Sequence, residues 1–537
     1  MRLSVLIILA LTLFYSVQAQ QSQFPSIPNW SDSLNIAYNA LEEGDTSIYL
    51  RIIEDFPEGD TLYPTVLTRK ASYYLTVSMY DKCIKVCENG IKRFPDHDDY
   101  HLFFLIKGVA ELRKDDYDAS VSTHKQAIKR YPENYLFYYN NAIAHRYLGN
   151  YKEQFEYVKQ SINSYPFYEG AHFELGNICL REGKVAQAML AYMMAMLIEP
   201  EYDYLTNLEQ VATSKRDQNP TGLETGNEED FKRINLLLSN YAGLEKGFDI
   251  PTKLDMKVLK QTYLLMKNLP ELPDDNFWER HYLKLFRQMI TDDQFEPFSY
   301  YLMVPVRNEK ILKKVAKKES AIEKFKQYAT SKINEQQYTF DSLGQKVDLF
   351  YYQGSQRGKQ AQGIEKDGAP IGCWKYFYSP GNLQAAGCFE NGMKTGNWKF
   401  YHQNGQLKER GYYEDGKADG IYTFYHDNGS VSKITNFEKD VLNGKEEIFF
   451  PDGNVKERYF YSKDTLEGPV FVLSADYSLL YEYNYKNNFI QDTVKIYHPD
   501  STLNKIYHYK NGERDGLMHS FNASGNMVEK GFFVNDE

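Results

Sequence analysis

Residues 392–416 read GMKTGNWKFYHQNGQLKERGYYEDG, and this stretch decides the fold of the C-terminal part of the chain. Asn404-Gly405 divides it into halves and Asp415-Gly416 closes it; both dipeptides tolerate the positive φ of tight hairpin turns. The halves are rich in Trp, Phe and Tyr, which suit half-buried strands. Moving outward, Gly372, Gly396, Gly420, Gly444, Gly468 and Gly516 are separated by 24 residues or a multiple of 24, and Asp348 and Asp492 fill the missing steps. Eight units follow without insertion, the last one shortened at Glu537. The mid-unit turn recurs as Pro380-Gly381, Asn428-Gly429, Asp452-Gly453 and Ser524-Gly525, and the end turn as Asp367-Gly368, Asn391-Gly392 and Asn511-Gly512. Where the end-turn Gly is replaced, Asp440, Asp464 and Asn488 stand there, types that also enter the left-handed region. Each unit is thus two short strands. Residues 346–537 are expected to form an elongated antiparallel β-meander of hairpin repeats.

A register follows from the mid-unit turn. It sets Phe350 opposite Gly363, Trp374 opposite Gly387, Trp398 opposite Gly411, Tyr422 opposite Thr435 and Met518 opposite Gly531. The order then inverts, as Glu446 opposite Tyr459, Val470 opposite Tyr483 and Val494 opposite Tyr507. One partner is bulky where the other is small, as a packed sheet face requires; an aromatic covering a cross-strand Gly is a stabilising device. The same register sets Cys373 opposite Cys388, a possible hairpin-clamping disulfide in an oxidising compartment. A simple two-residue turn would put this pair at a hydrogen-bonded site, which is less comfortable for a bridge.

The run Gly392-x-x-x-Gly396-x-Trp398-x-Phe400-Tyr401, with Asn404-Gly405 and Gly411-Tyr412-Tyr413-x-x-Gly416, resembles the MORN-repeat family, and within it the bacterial YwqK-type variant labelled antitoxin-like. The resemblance fades where Tyr459, Tyr483 and Tyr507 replace Gly. It implies a non-catalytic β-array used for protein contacts and, in some members, lipid contacts.

Nearer the N-terminus a Pro recurs in Phe56-Pro57, Phe94-Pro95, Tyr131-Pro132, Tyr165-Pro166 and Glu199-Pro200, the last three prolines 34 residues apart. In the unit closed by Pro200, His172, Leu175 and Gly176 stand at first-helix positions and Ala188, Tyr192 and Ala195 at second-helix positions. Phe104, Gly108 and Ala127, then Tyr138, Ala142 and Ser161, and Leu67, Ala71, Tyr74 and Gly90 repeat the scheme. Residues 28–205 thus resemble tetratricopeptide repeats, four good units and a degenerate one near 31–57. The resemblance implies an α-solenoid whose groove takes a peptide or partner protein. Cys83, Cys87 and Cys179 read as small buried apolar residues.

Residues 206–345 carry no resemblance and read as a helical extension and linker. The polar stretch 213–230 is the linker, and helices are expected at Phe231–Leu244, Thr252–Leu269, Asn276–Thr291 and Glu309–Ile333. The last bears Lys310, Lys313, Lys314, Lys317 and Lys318, read as a solvated face. Residues 1–19 read as a signal peptide: Arg2, the apolar run Leu3–Phe14, and Val17-Gln18-Ala19 before the cut. No Cys follows the cut, so the lipoprotein pattern is absent. The protein is expected to be exported, to the periplasm or associated with the cell envelope.

The net charge of −11 argues against a nucleic-acid partner, which would need a basic field. No catalytic motif appears, and His402, His426 and His498, at one unit position, read as half-exposed rings and not as metal ligands. We therefore expect no catalytic residues, no metal and no cofactor. Tyr401 and Tyr425 on the sheet, with Phe104 and Tyr138 on the helices, are the expected partner-binding aromatics. The expected role is a non-enzymatic envelope scaffold for protein partners. An immunity-type inhibitor of a secreted toxin, or a lipid- or cell-wall-binding module, are the alternatives.

Overall fold

The computed structural model describes Ala37 and residues 46–58, 62–95, 97, 99–213, 220–240, 248–336, 338–340, 346–352, 358–379, 381–476 and 478–537. The signal-peptide reading of residues 1–19, most of the degenerate repeat near 31–57 and Pro380 lie outside the described residues. The chain divides into two compact units: a helical one ending at Gln336 that also takes in Tyr351–Gly358, and a β unit of Gln337–Phe350 and Lys359–Glu537.

The helical unit begins with α1 (Thr46–Glu54), then four antiparallel pairs: α2 (Tyr63–Thr76) with α3 (Tyr80–Arg93), α4 (Tyr100–Arg113) with α5 (Tyr117–Arg130), α6 (Tyr135–Tyr147) with α7 (Tyr151–Ser164), and α8 (Glu169–Arg181) with α9 (Val185–Ile198). Each pair turns on one left-handed residue, Ser78, Asp115, Gly149 and Gly183 in order. The small residues of the repeat are small because rings press on them. A Cβ on Gly176 would lie 2.4 Å from the Tyr192 ring, one on Gly108 2.4 Å from the His124 imidazole, and one on Gly90 2.3 Å from Phe103. Tyr192, His124 and Phe103 are fully buried, and the Phe103 ring contributes roughly 1.5–3 kcal/mol of apolar burial. Cys83, Cys87 and Cys179 are free and buried.

The extension continues this unit. It holds α10 (Tyr202–Thr213), α11 (Glu228–Ser239), α12 (Lys257–Lys267), a π-helical turn at Glu279–Leu283 leading into α13 (Lys284–Thr291), α14 (Phe295–Leu302), α15 (Glu309–Ala316) and α16 (Glu319–Gln336). Three features differ from the sequence expectation. The expected Glu309–Ile333 helix is two helices, bent at Lys317-Lys318 so that Phe325 packs on Phe298 and Tyr301. Helix α14 was not foreseen: it is one short FEPFSYYL segment with Pro in its first turn, too brief to show a period. The polar stretch after α10 does not simply link. The buried Glu182 carboxylate accepts hydrogen bonds from the Thr221 and Leu223 amides (2.8 and 3.2 Å) and from the Thr221 hydroxyl (2.8 Å), while Thr225 O accepts from Trp278 Nε1 (3.0 Å).

The β unit is one antiparallel sheet of 21 strands among the described residues. Seven of the expected cross-strand pairs occur: Trp374–Gly387, Trp398–Gly411, Tyr422–Thr435, Glu446–Tyr459, Val470–Tyr483, Val494–Tyr507 and Met518–Gly531. From Gly372 onward the residue that opens each unit is left-handed, with φ of 63° at Gly372, 67° at Gly396, 81° at Gly420 and 66° at Asp492. Only Gly enters that region without a Cβ penalty, which is why a glycine marks the 24-residue period.

Candidate functional site

The joints between units were not legible in advance. Trp398 pairs in register with Gly411, yet its indole leans the other way, over Gly387 of the preceding unit, where an added Cβ would sit 2.1 Å from the ring. Trp374 covers Gly363 and Tyr422 covers Gly411 in the same manner, at 2.0 and 2.2 Å. The expectation that each ring covers its own hairpin partner is therefore corrected: the polar edge of the ring decides the lean. Trp398 Nε1 donates to Cys388 O (3.2 Å), Trp374 Nε1 to Ile364 O (3.2 Å), and Tyr422 Oη to Tyr412 O (3.0 Å), all ten residues back. A buried N–H or O–H needs such a partner.

A second joint lies at the end turns. Their two central residues are both left-handed, as at Asn391-Gly392, Lys439-Asp440, Lys463-Asp464 and Asn487-Asn488, the geometry of a type I′ turn. The second residue's amide donates to a carbonyl one unit back: Asp440 to Ala418 (2.8 Å), Asp464 to Leu442 (2.9 Å) and Gly512 to Ile490 (2.9 Å). Where that residue is not Gly, its side chain adds a bond in the other direction. Asp440 Oδ1 accepts from Ala418 N (2.6 Å), Asp464 Oδ1 from Leu442 N (2.8 Å) and Asn488 Oδ1 from Leu466 N (2.7 Å). So the replacement of Gly by Asp or Asn supplies a hydrogen bond in place of backbone freedom.

The mid-unit hairpins close between His402 and Gln406 and their equivalents, as His402 N→Gln406 O (2.8 Å) with Gly405 N→His402 O (3.0 Å). This three-residue loop, with a strand bulge beside it between Phe400 and Tyr401, recurs in the hairpin of Cys373 and Cys388, whose bulge lies between Tyr376 and Phe377. The simple two-residue turn is thus not what is built. The Cys388 carbonyl faces Trp398, and the bonded pair has a Cα separation of 3.8 Å, closer to a non-hydrogen-bonded than to a hydrogen-bonded cross-strand pair. His426 Nε2 donates to Phe449 O (3.0 Å), His498 Nε2 to Phe521 O (3.2 Å), and Tyr378 Oη to Tyr401 O (3.0 Å). These rings tie one unit to the next, and no cluster of metal-ligating residues occurs among the described residues.

The aromatics left for a partner differ in part from those expected. Phe104 is buried at 8% exposure, edge-on to Tyr100; it is core between helices and is corrected as an anchor. Tyr138 is half-buried, its hydroxyl donating to Pro132 O (2.8 Å), with burial pushing its pKa up to about 12. Tyr401 and Tyr425 are half-buried at the strand ends, and the Arg410 guanidinium stands 5.9 Å from the Tyr425 ring. Two rows were missed. Tyr139 and Phe173 hold one position in successive first helices, Tyr139 against Tyr168 (4.9 Å) and Phe173 against Tyr204 (4.7 Å). On the sheet, Phe389, Tyr413, Phe437, Tyr461, Tyr485, Tyr509 and Phe533 recur every 24 residues, and all are half-buried. Lys394 Nζ caps Tyr413 at 4.8 Å and Arg514 caps Phe533 at 4.3 Å. The 24-residue spacing alone could have revealed this row.

The family model for the MORN repeat variant matches residues 394–415, 418–439 and 442–463. Residues 394–463 are MORN repeat variants. The MORN-variant matches follow the same unit period as the joints just described. The helical pairs are tetratricopeptide-like. A curated relative, the small glutamine-rich tetratricopeptide repeat-containing protein 2 of Saccharomyces cerevisiae, is 29% identical over 94 residues, 18% of this chain; the match spans 27% of that relative's length. Among solved structures, MamA 41-end from Desulfovibrio magneticus RS-1 is 17% identical, covering 33% of this chain and 97% of that one with a TM-score of 0.29. The structure titled MamA RS-1 ArsTM double mutant gives the same identity, coverage and TM-score.

Proposed function

We propose that the chain is a non-enzymatic scaffold, exported to the cell envelope, that holds protein partners on its two repeat arrays. The observation that carries this reading is the seven-ring row on the MORN-variant sheet, half-buried at an even spacing over 144 residues from Phe389 to Phe533. Rings of that kind offer large contact area at low entropic cost, the usual character of interface anchors. Export is supported by the composition of residues 1–19 and by the Cys373–Cys388 bond, which persists in oxidising compartments.

The test is in-cell crosslinking and purification of the tagged chain from fractionated cells. It compares the native protein with one carrying Tyr461→Ala, Tyr485→Ala and Tyr509→Ala, and one carrying Tyr139→Ala and Phe173→Ala. Recovery in the envelope fraction of stoichiometric protein partners, each lost with one set of substitutions, is the expected result. Cytoplasmic recovery would overturn the export reading. Partners retained by both variants would overturn the assignment of the surfaces, and one small dedicated toxin would replace the scaffold with an immunity-type inhibitor.

A further inference from the structure

A cavity of about 410 Å³ opens in the helical unit between α7, residues 225–227 and residues 275–280. Its size is at the small end of the roughly 300–1,000 Å³ of ligand sites. The wall is built by the π-helical turn and the residues that lead into it. Asn276 Oδ1 accepts from the Trp278 and Glu279 amides (2.8 and 3.3 Å) and Asn276 Nδ2 donates to Asn227 Oδ1 (2.8 Å). With the Trp278 indole N–H held by Thr225 O, this part of the lining is fixed. Widened turns of this kind occur often at functional sites.

The lining carries two cations, Lys159 and Arg280, and two carboxylates, Glu156 and Asp275. Lys159 Nζ stands 5.6 Å from the Phe277 ring centroid and 3.5 Å from Glu156. Asn163 also lines the cavity. Its Oδ1 is taken by Nε2 of the buried His281 (2.8 Å), so the Asn163 NH2 remains as a donor. A ligand bearing only negative charge would meet Glu156 and Asp275 unfavourably, and one bearing only positive charge would meet Lys159 and Arg280 so. A ligand with one charge of each sign satisfies both, and an apolar side chain can lie on Phe277.

We propose that this cavity binds a small zwitterion, a free α-amino acid or a short peptide with both ends unblocked. The carboxylate goes to Lys159, the ammonium to Asp275, and the apolar side chain lies on Phe277. This site goes beyond the scaffold reading and does not depend on it.

Calorimetric titration of the full chain with L-phenylalanine, Ala-Phe, N-acetyl-Ala-Phe, Ala-Phe amide and glucose tests the assignment. The expected result is saturable binding of the free amino acid or the free dipeptide, weakened at least about tenfold by blocking either end, the loss of one charge-assisted hydrogen bond. The exposed Asp275 and half-buried Lys159 permit mild variants. Lys159→Gln weakens free Ala-Phe and leaves the amide's residual affinity unchanged; Asp275→Asn does the same for the acetylated form. Binding of L-phenylalanine alone assigns a free amino acid, and of Ala-Phe alone a peptide. No heat with either below about 10 mM, equal affinity for blocked and free dipeptide, or binding of glucose instead would overturn the proposal.

Discussion

At the scale of single residues, the β unit is governed by what stands beneath its rings. Gly387→Ala places a methyl 2.1 Å from the Trp398 indole, so the ring must leave its seat and its bond to Cys388 O. We expect a loss of roughly 1–3 kcal/mol, read as a lower denaturation midpoint of the β unit. The opposite sign is expected where a side chain occupies a left-handed position without a compensating bond. Asp492, with φ of 66°, stands where six other units have Gly. Asp492→Gly should stabilise by about 1 kcal/mol, measured by the same unfolding curve. The 24-residue period and the bulky-against-small alternation made the register readable from sequence. They did not say which flanking glycine Trp374 or Trp398 covers, because that turns on which carbonyl the indole N–H reaches.

At the scale of elements, the helical pairs and the hairpins are held by different chemistry and respond to different tests. Burial lowers the pKa of His124 to about 3 and that of His172 to about 4 from an ordinary 6.5. Both imidazoles are neutral inside the fold, so the unfolded chain binds more protons below pH 6.5. The stability they allow is therefore complete above 6.5 and lost as pH falls toward 4. The slope is up to about 1.4 kcal/mol per pH unit for each histidine. Urea midpoints of the helical unit at pH 7.5, 5.5 and 4.5 should show this, and His124→Gln should reduce the slope. In the sheet, Asp464→Ala removes the acceptor of Leu442 N–H and should cost about 1 kcal/mol, whereas the same unfolding measurement on Asp464→Asn should show little change. The helix pairs were legible from the 34-residue spacing of proline. The extension was only partly so: α14 is short, and the strap onto Glu182 depends on a carboxylate whose partners are 39 and 41 residues away.

At the scale of the molecule, the two units are independently coherent repeats and should report separately. The bond between Cys373 and Cys388 closes a 15-residue interval within the β unit. Cys373→Ser with Cys388→Ser should lower the stability of that unit by up to about 3 kcal/mol and leave hydrogen-exchange protection of α2–α9 unchanged. Fold class and repeat boundaries could be read because repetition amplifies a weak local signal. The aromatic row carries the same 24-residue spacing as the residues that open the units, so it too was open to the sequence. From Gly416 to Asp536 each end turn joins a unit to its predecessor by the same contact, a turn amide reaching one step behind, and at Trp374, Trp398 and Tyr422 a ring laid back over a glycine is added to the joint. Such a chain can be lengthened by duplicating a complete 24-residue segment whose ring position and covered position match those of its neighbour, as in the unit opened by Gly396 with Trp398 and Gly411, since the new seam is then chemically the old one. A slip of a single residue would instead turn every ring to the opposite face. Inheritance of this gene segment should therefore tolerate gains and losses in whole steps and reject fractions of a step.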